Sequence, residues 1–229
     1  MIPLKDDIPT ERTPVVTLAL LGANLLAFAW QLFGIGLEQS VLRGGAIPYE
    51  ILTFRDINER NLVQPPFTIL TSMFLHGGLG HVGGNMLMLW IFGNNVEDAL
   101  GRGRFLLFYV ASGIAAALAQ TVAAAASGDA QIPMVGASGA IAGVLAGYLV
   151  LFRHARVLTL VMLVFWIQLV HVPAGFYIGF WFVLQILSVL FGGNPGVAFF
   201  AHIGGFVAGY LIVRIVGRRP RWRARRVSL

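Results

Sequence analysis

Three stretches place hydroxyl, imidazole and amide groups inside otherwise apolar runs: "HVGGN" with His81 and Asn85, "GASGA" with Ser138, and "AHIGG" with His202. Polar side chains at membrane depth cost free energy to hold there, which makes them candidates for function. A serine hydroxyl becomes a nucleophile when a neighbouring base takes its proton, and imidazole is the commonest base. Acyl transfer also needs hydrogen-bond donors aimed where negative charge develops on the carbonyl oxygen. The Asn85 amide, the His81 ring N–H and the Ser138 backbone N–H are groups of that type. His81 and Asn85 stand four residues apart, so a helix turns both towards one spot.

Each stretch also has a plainer reading. Gly139, Gly143 and Gly147 recur every four residues, and Gly205 and Gly209 repeat the pattern after His202. This is the small-xxx-small spacing of closely packed helices, in which Ser138 is a packing residue and His202 an interhelical hydrogen-bond partner. The serine is not in the G-x-S-x-G elbow of soluble hydrolases, since Ala140 stands where the second glycine would be. His81 and Asn85 can be structural hydrogen-bonders, or His81 with His202 a haem pair, although haem leaves Asn85 and Ser138 unexplained. Taken jointly, two glycine-lined helices in contact would bring Ser138 and His202 within hydrogen-bond reach. No carboxylate follows Asp129, and Glu97 and Asp98 fall towards the opposite side. The chemistry expected is therefore a dyad, with His202 acting first as base towards Ser138 and then as acid to the leaving amine.

The elements that must position these groups are membrane spans. The 229 residues are 57% hydrophobic and 11% charged, against about 25% charged in soluble domains. Apolar stretches of roughly bilayer length run over Pro14–Phe33, His81–Asn94, Phe105–Ala126, Ser138–Phe152, Ala174–Phe191 and Val197–Val216. The polar opening "MIPLKDDIPTER" predicts no secretory leader. Residues 34–80 form a long amphipathic first loop, expected to lie in the interface and pack on the bundle. "VLTLVMLVFWIQLV" (157–170) is short for a span and reads as interfacial or re-entrant. The expected fold is an all-α integral membrane protein of six transmembrane helices. Residues 1–13 would be a cytoplasmic tail, 14–216 the membrane domain and 217–229 a basic cytoplasmic tail.

Charge supports that count. With the N-terminus inside, 13 of the 16 Lys and Arg residues fall on the cytoplasmic side, and only Arg43, Arg55 and Arg60 outside. A seventh span would throw the C-terminal arginines across the membrane. The net charge of +6 sits mostly in "RRPRWRARR" after the last span, where it meets anionic lipid headgroups rather than nucleic acid. Ser138 and His202 share a depth only if their helices run the same way. One intervening span, Ala174–Phe191, gives that arrangement and places the site towards the outer side. Absence of cysteine removes disulfides, thiolate metal sites and a thiol nucleophile.

Together "HGGLGHVGGN", "GASGA" and "AHIGG" resemble the rhomboid intramembrane serine proteases, in order and in topology, from the first span to Tyr210. The resemblance implies a six-helix core with the first loop half-buried in the outer leaflet. It implies Ser138 as nucleophile, His202 as base, and His81 and Asn85 as oxyanion donors. His76 is then the further histidine before the second span, and Gly136 and Gly139 support the serine. Implied substrates are single-pass membrane proteins, with the bilayer as the other partner and no cofactor or metal. The sequence does not fix an oligomeric state. Two positions depart from the pattern. Ala142 stands where some members have a Tyr stacked on the catalytic His, leaving open what holds the His202 ring. Phe67-Thr68 replaces a Trp-Arg that bears on loop anchoring. Neither change removes a reacting group.

A cavity open to the outer side, lined by His76, His81, Asn85, Ser138 and His202, would hold the water that hydrolysis needs. Substrate is expected to pass the Ala174–Phe191 helix, whose Phe176, Tyr177, Phe180, Trp181 and Phe182 read as an aromatic face, with "GGNPGVAFF" as a cap. The alternatives are a non-catalytic rhomboid-like chaperone, which should lack Ser138 or His202, and a small-solute transporter, which should show inverted repeats. Short tails favour a bacterial plasma membrane with both termini cytoplasmic.

Overall fold

Pro14, with its φ preset near the helical value, leads directly into the first helix, α1 (Val15–Trp30), which widens into a π-helical turn over Gln31–Ile35. The computed structural model describes residues 1–57, 61–163, 166–192 and 196–216. Three short helices lie in the long first loop: α2 (Leu37–Gly44), α3 (Pro48–Thr53) and α4 (Thr68–Ser72). A second long run joins α5 (Leu79–Met88), a π-helical Leu89–Gly93 and α6 (Asn94–Leu100). Gly101, at φ +81°, takes a turn that a side chain would strain, and α7 (Arg102–Ser127) follows. The remaining helices are α8 (Ser138–Leu151), α9 (Ala174–Leu190) and α10 (Phe199–Val216).

Among the described residues, three helical runs are long and apolar enough to cross a membrane: Val15–Ile35, Arg102–Ser127 and Phe199–Val216; Ser138–Leu151 and Ala174–Leu190 are apolar but shorter. Their outward surfaces are greasy, with Leu26, Leu107, Val122, Phe191 and Ile215 among the most exposed side chains. Polar groups lie inside instead, including Thr17, Asn24, Gln31, Ser112 and Thr121. This inversion suits a lipid solvent. At the centre stands α8, buried without interruption from Gly139 to Tyr148, as befits a helix apolar on every side. Contacts with α7 and α10 enclose it.

The first loop packs on the bundle rather than hanging from it. Ala46 and Met134 exchange backbone hydrogen bonds at 3.0 and 2.9 Å, and Tyr49 N–H donates to the Ala130 carbonyl. Glu50, fully buried, accepts from Ile57 N–H (2.8 Å) and Asn61 Nδ2 (2.9 Å). At the other end of the bundle Glu97 caps α1, accepting from Val16 N–H, Thr17 N–H and Thr17 Oγ1. The two N–H groups are orphan donors of a helix start.

The all-α expectation needs correction, because a three-stranded antiparallel sheet is present, in the order β1 (Ile2–Asp6), β2 (Arg156–Leu163), β3 (Trp166–Pro173). The stretch read as interfacial or re-entrant is the β2–β3 pair, in register from Arg156↔Pro173 to Leu163↔Trp166. Its Val, Leu, Ile and Thr content suits strands, and a hydrogen bond from Ala174 N–H to the Ala155 carbonyl closes its base. The outer edge of β2 needs backbone partners, and residues 2–6 supply them, with Ile2 opposite Leu160 and Asp6 opposite Val157. Residues 1–13 are therefore not a simple tail. The basic segment 217–229 lies outside the described residues, as do Arg60 and residues 193–195 of the expected cap.

Asp6 fastens this strand to the helices. Its carboxyl accepts from Tyr148 Oη (2.6 Å) on α8 and from Asn95 Nδ2 (2.5 Å) on α6. Burial pushes the carboxyl up from 3.8 to about 6, outweighing the Tyr148 bond that favours the charged form, with neighbouring Asp7 adding to the rise. A carboxyl raised on folding contributes stability that is complete below its unfolded value and is lost as pH rises through its folded one. The thermal midpoint of the full chain in detergent should therefore fall between about pH 4 and about pH 6, and Asp6→Asn should flatten that slope. Equal slopes for the two proteins would refute this role for Asp6.

Candidate active site

The site rests on a backbone contact between α8 and α10. Gly205 lies against Gly139 and Gly209 against Gly143, so closely that a Cβ on either α10 glycine would overlap the α8 backbone. Both pairs advance in the same direction, so the two helices run parallel. Ser138 opens α8, and His202 lies in the first turn of α10. Their side chains meet, with Ser138 Oγ 2.8 Å from His202 Nε2. The third helix of the cluster, α7, braces both partners. Gly204 of α10 abuts Ala119, Gly143 abuts Ser112, and Gln120 Oε1 accepts from Ala201 N–H at 3.3 Å.

What holds the imidazole comes from α9 and from the start of α10, stretches the sequence marks for substrate entry and capping rather than for supporting the base. Gln185 Oε1, on α9, lies 2.7 Å from His202 Nδ1. The Trp181 ring sits tilted at 5.7 Å between centroids, and the Phe199 ring stands edge-on at 6.3 Å. Between them these three occupy the role left open by Ala142. Gln185 went unnoticed in the sequence; its one signal there was an amide amid the apolar residues of "AGFYIGFWFVLQILSVL".

His81 and Asn85 sit on α5, one turn apart. Gly77 N–H donates a long hydrogen bond (3.4 Å) to His81 Nδ1, which leaves Nε2 as the protonated, donating nitrogen of a neutral ring. Asn85 is buried, and its Nδ2 has no hydrogen-bond partner. Both groups face the segment leading into Ser138, because a Cβ at Gly136 would come within 2.6 Å of His81 Nε2 and 3.6 Å of Asn85 Nδ2. The first turn of α8 has no side-chain cap, so its leading N–H groups face outward as donors.

Ser138, His202, His81 and Asn85 line one cavity of about 930 Å³, together with Trp181, Phe199 and Met134. His76, expected in that lining, lies behind His81 instead, fully buried with ring centroids 5.1 Å apart. Gln31 clamps its backbone, accepting from His76 N–H (2.9 Å) and donating to the His76 carbonyl (3.1 Å). His76 therefore supports His81 and does not face the cavity. Gly139 serves the helix contact, and Gly136 the approach of His81. Among the described residues no group of three or more His, Asp or Glu side chains is placed to share a metal ion.

The aromatics of α9 do not form one face. Phe176 and Phe180 stack on each other and are exposed, Phe182 stacks on Phe206, and Tyr177 stacks on Phe92. Residues 176 to 182 span nearly two helical turns, so they point around the helix.

A family model for the Rhomboid domain matches residues 64–219, which covers Ser138, His202, His81, Asn85 and Gln185. The chain belongs to the rhomboid family. It is 31% identical over 184 residues to the Rhomboid protease GluP of Bacillus subtilis (77% of this chain, 31% of that protein). To the mitochondrial Rhomboid protein 1 of Saccharomyces cerevisiae it is 31% identical over 202 residues (84% and 51%). To the Rhomboid-type serine protease 2 of Emericella nidulans it is 30% identical over 167 residues (71% and 29%). The chain thus spans about half or less of these curated relatives' own lengths.

Gly136 is held at φ +122° with the His81 ring against it. Gly136→Ala should lose about 1–3 kcal/mol of stability to backbone strain and displace His81. Labelling of Ser138 by a fluorophosphonate should slow by on the order of 100-fold. Gly83→Ala, on the same α5 helix but facing open space, should leave labelling unchanged and cost no stability, alanine being the better helix former. Normal labelling of Gly136→Ala would show that His81 does not depend on this glycine.

Proposed function

We propose that this chain is an intramembrane serine endopeptidase that cuts the transmembrane segments of single-pass membrane proteins. The observation that carries the reading is the 2.8 Å approach of Ser138 Oγ to His202 Nε2 at the wall of a shared cavity. As Oγ attacks the scissile carbonyl carbon, its proton passes to Nε2. The negative charge gathering on the carbonyl oxygen meets Asn85 Nδ2, His81 Nε2–H and the leading N–H groups of α8. Collapse breaks the C–N bond, and His202 hands its proton to the departing amine. Water, with His202 again as base, then hydrolyses the acyl-enzyme and restores Ser138.

The reading takes six crossings: α1, the continuous α5–α6 run, α7, α8, α9 and α10. An odd number of spans between Ser138 and His202 is what lets their helices run parallel. The inside bias of Lys and Arg then sets both termini in the cytoplasm and the cavity towards the outer side. Substrate reaches the cavity past α9, of whose 17 residues only Ala174, Tyr177, Ile178 and Gln185 are buried. The chaperone reading would need the dyad to be idle, and nothing in its geometry favours that.

The test is cleavage of a transmembrane substrate by the purified full chain in liposomes. Ser138→Ala and His202→Ala should each lower kcat by on the order of 1,000-fold or more, and a fluorophosphonate should label Ser138 in the unsubstituted chain. Undiminished cleavage by Ser138→Ala would end the assignment.

A further inference from the structure

The dyad has a third member in geometry, if not in charge. We infer that Gln185 is a positioning residue that fixes the tautomer and orientation of His202, an inference that rests on the proteolytic reading only for its kinetic consequence. Both ends of the Gln185 amide are occupied. Nε2 donates to the Trp181 carbonyl one turn back at 3.1 Å. A carbonyl oxygen can only accept, so the end of the amide facing it is the NH2, and the end 2.7 Å from His202 Nδ1 is the oxygen. An amide oxygen can only accept in turn, so Nδ1 carries the hydrogen. In a neutral imidazole that leaves the Nε2 lone pair directed at Ser138 Oγ, 2.8 Å away. The chain of bonds runs Trp181 carbonyl, Gln185 amide, His202 imidazole, Ser138 hydroxyl, and each link dictates the polarity of the next.

Burial points the same way. Gln185 is the only buried residue of the last ten in α9, where Val183, Leu184, Ile186 and Leu187 face outward. An amide in that place is costly unless both its ends are satisfied, and here the second end is satisfied by the base itself. When Ser138 attacks, His202 becomes an imidazolium, and the amide dipole lies with its oxygen against the newly charged ring. A carboxylate would stabilise that charge more strongly but would have to be held ionised in an apolar wall. A glutamine gives the orientation without that cost. Trp181 and Phe199 restrict the ring by contact, but a contact cannot choose between Nδ1–H and Nε2–H. Gln185 alone does so.

Two measurements on the full chain test this. In protein carrying 15N-labelled histidine, His202 should show Nδ1 protonated and Nε2 bare at neutral pH, and Gln185→Met, close in volume but without the acceptor, should abolish that preference. In the cleavage assay Gln185→Met should lower kcat by about 10- to 100-fold, by analogy with the loss of a group that orients a metal-ligating histidine, with KM unchanged. Gln185→Glu should recover most of kcat and move the acid limb of the pH profile to higher pH, because a carboxylate favours the charged ring. A purely structural amide would not move that limb. If Gln185→Met fails to fold, Gln185→Glu and the tautomer of the unsubstituted chain still decide the matter. A locked Nδ1–H tautomer in a chain that cleaves nothing would sink the protease reading and leave the hydrogen-bond role standing. Full kcat in Gln185→Met, an unmoved acid limb in Gln185→Glu, or an Nε2–H tautomer in the unsubstituted protein would each overturn the inference while leaving proteolysis intact.

Discussion

Apolar helices in lipid gain little by turning their greasy faces to one another, because the acyl chains are as apolar as leucine. What associates them is close van der Waals packing, and the closest packing comes where side chains are missing altogether. The contact of Gly139 and Gly143 with Gly205 and Gly209 is of that kind. Each dispersion contact is small, on the order of 0.1–0.2 kcal/mol per atom pair, but two backbones in contact collect many of them. The same contact sets the depth and direction of both helices, hence the meeting of Ser138 with His202. A methyl group on α10 at either position would have nowhere to go except by parting the helices, and a parting of even 1 Å would stretch a hydrogen bond of 2.8 Å towards the point where proton transfer fails. On the proteolytic reading packing and chemistry are one constraint, and a small-residue reading and a catalytic reading of "GASGA" do not exclude each other.

The polar groups divide according to whether the fold has satisfied them. Glu97 takes three donors at the start of α1, Gln31 closes both backbone groups of His76, and Asp6 receives Tyr148 and Asn95. These hold elements in place and have nothing left to offer a ligand. Asn85 is different: buried, in the cavity wall, with an NH2 that no protein group accepts from. A buried donor without a partner costs roughly 1–3 kcal/mol. If its acceptor is an oxygen that becomes negative only as the peptide bond is attacked, that cost is recovered in the transition state rather than the ground state, which is where recovery accelerates a reaction.

Much of this was visible in the sequence because it rests on local spacing. Residues four apart share a helix face, so His81 with Asn85 and the glycine ladders could be placed before any coordinates. Other features depend on encounters that no local pattern records. The sheet was missed because two eight-residue apolar strands have the length and hydropathy of an interfacial helix, and the third strand comes from more than 150 residues away. Asp6 was invisible for the same reason, its partners being Asn95 and Tyr148. His76 was placed in the cavity on its residue type, whereas the Gln31 clamp turns it behind His81. The aromatic face assigned to α9 came from counting aromatics without following their angles around the helix.

Gln185 shows most clearly where pattern reading stops. In "FVLQILSVL" the amide is one polar residue in an apolar helix, and nothing nearby says which way it faces. Its meaning comes from the helix that carries it. Of the helices around the site, α9 buries the smallest share of its own residues, yet it supplies both Trp181 and Gln185 to the His202 ring. The least anchored wall of the cavity is therefore also the support of the base. Any sideways displacement of α9 that widened the cavity would lengthen the bond from Gln185 to His202 by a similar amount, and an amide 1 Å further away no longer fixes a tautomer. On the proteolytic reading proposed above, opening and reactivity would be opposed in this geometry, and the dyad would be fully organised only with α9 seated. A substrate segment that lets α9 return to its place, by being thin or unwound where it crosses the wall, would meet an organised base. A bulky continuous helix that held α9 away would meet a serine whose partner had lost its orientation.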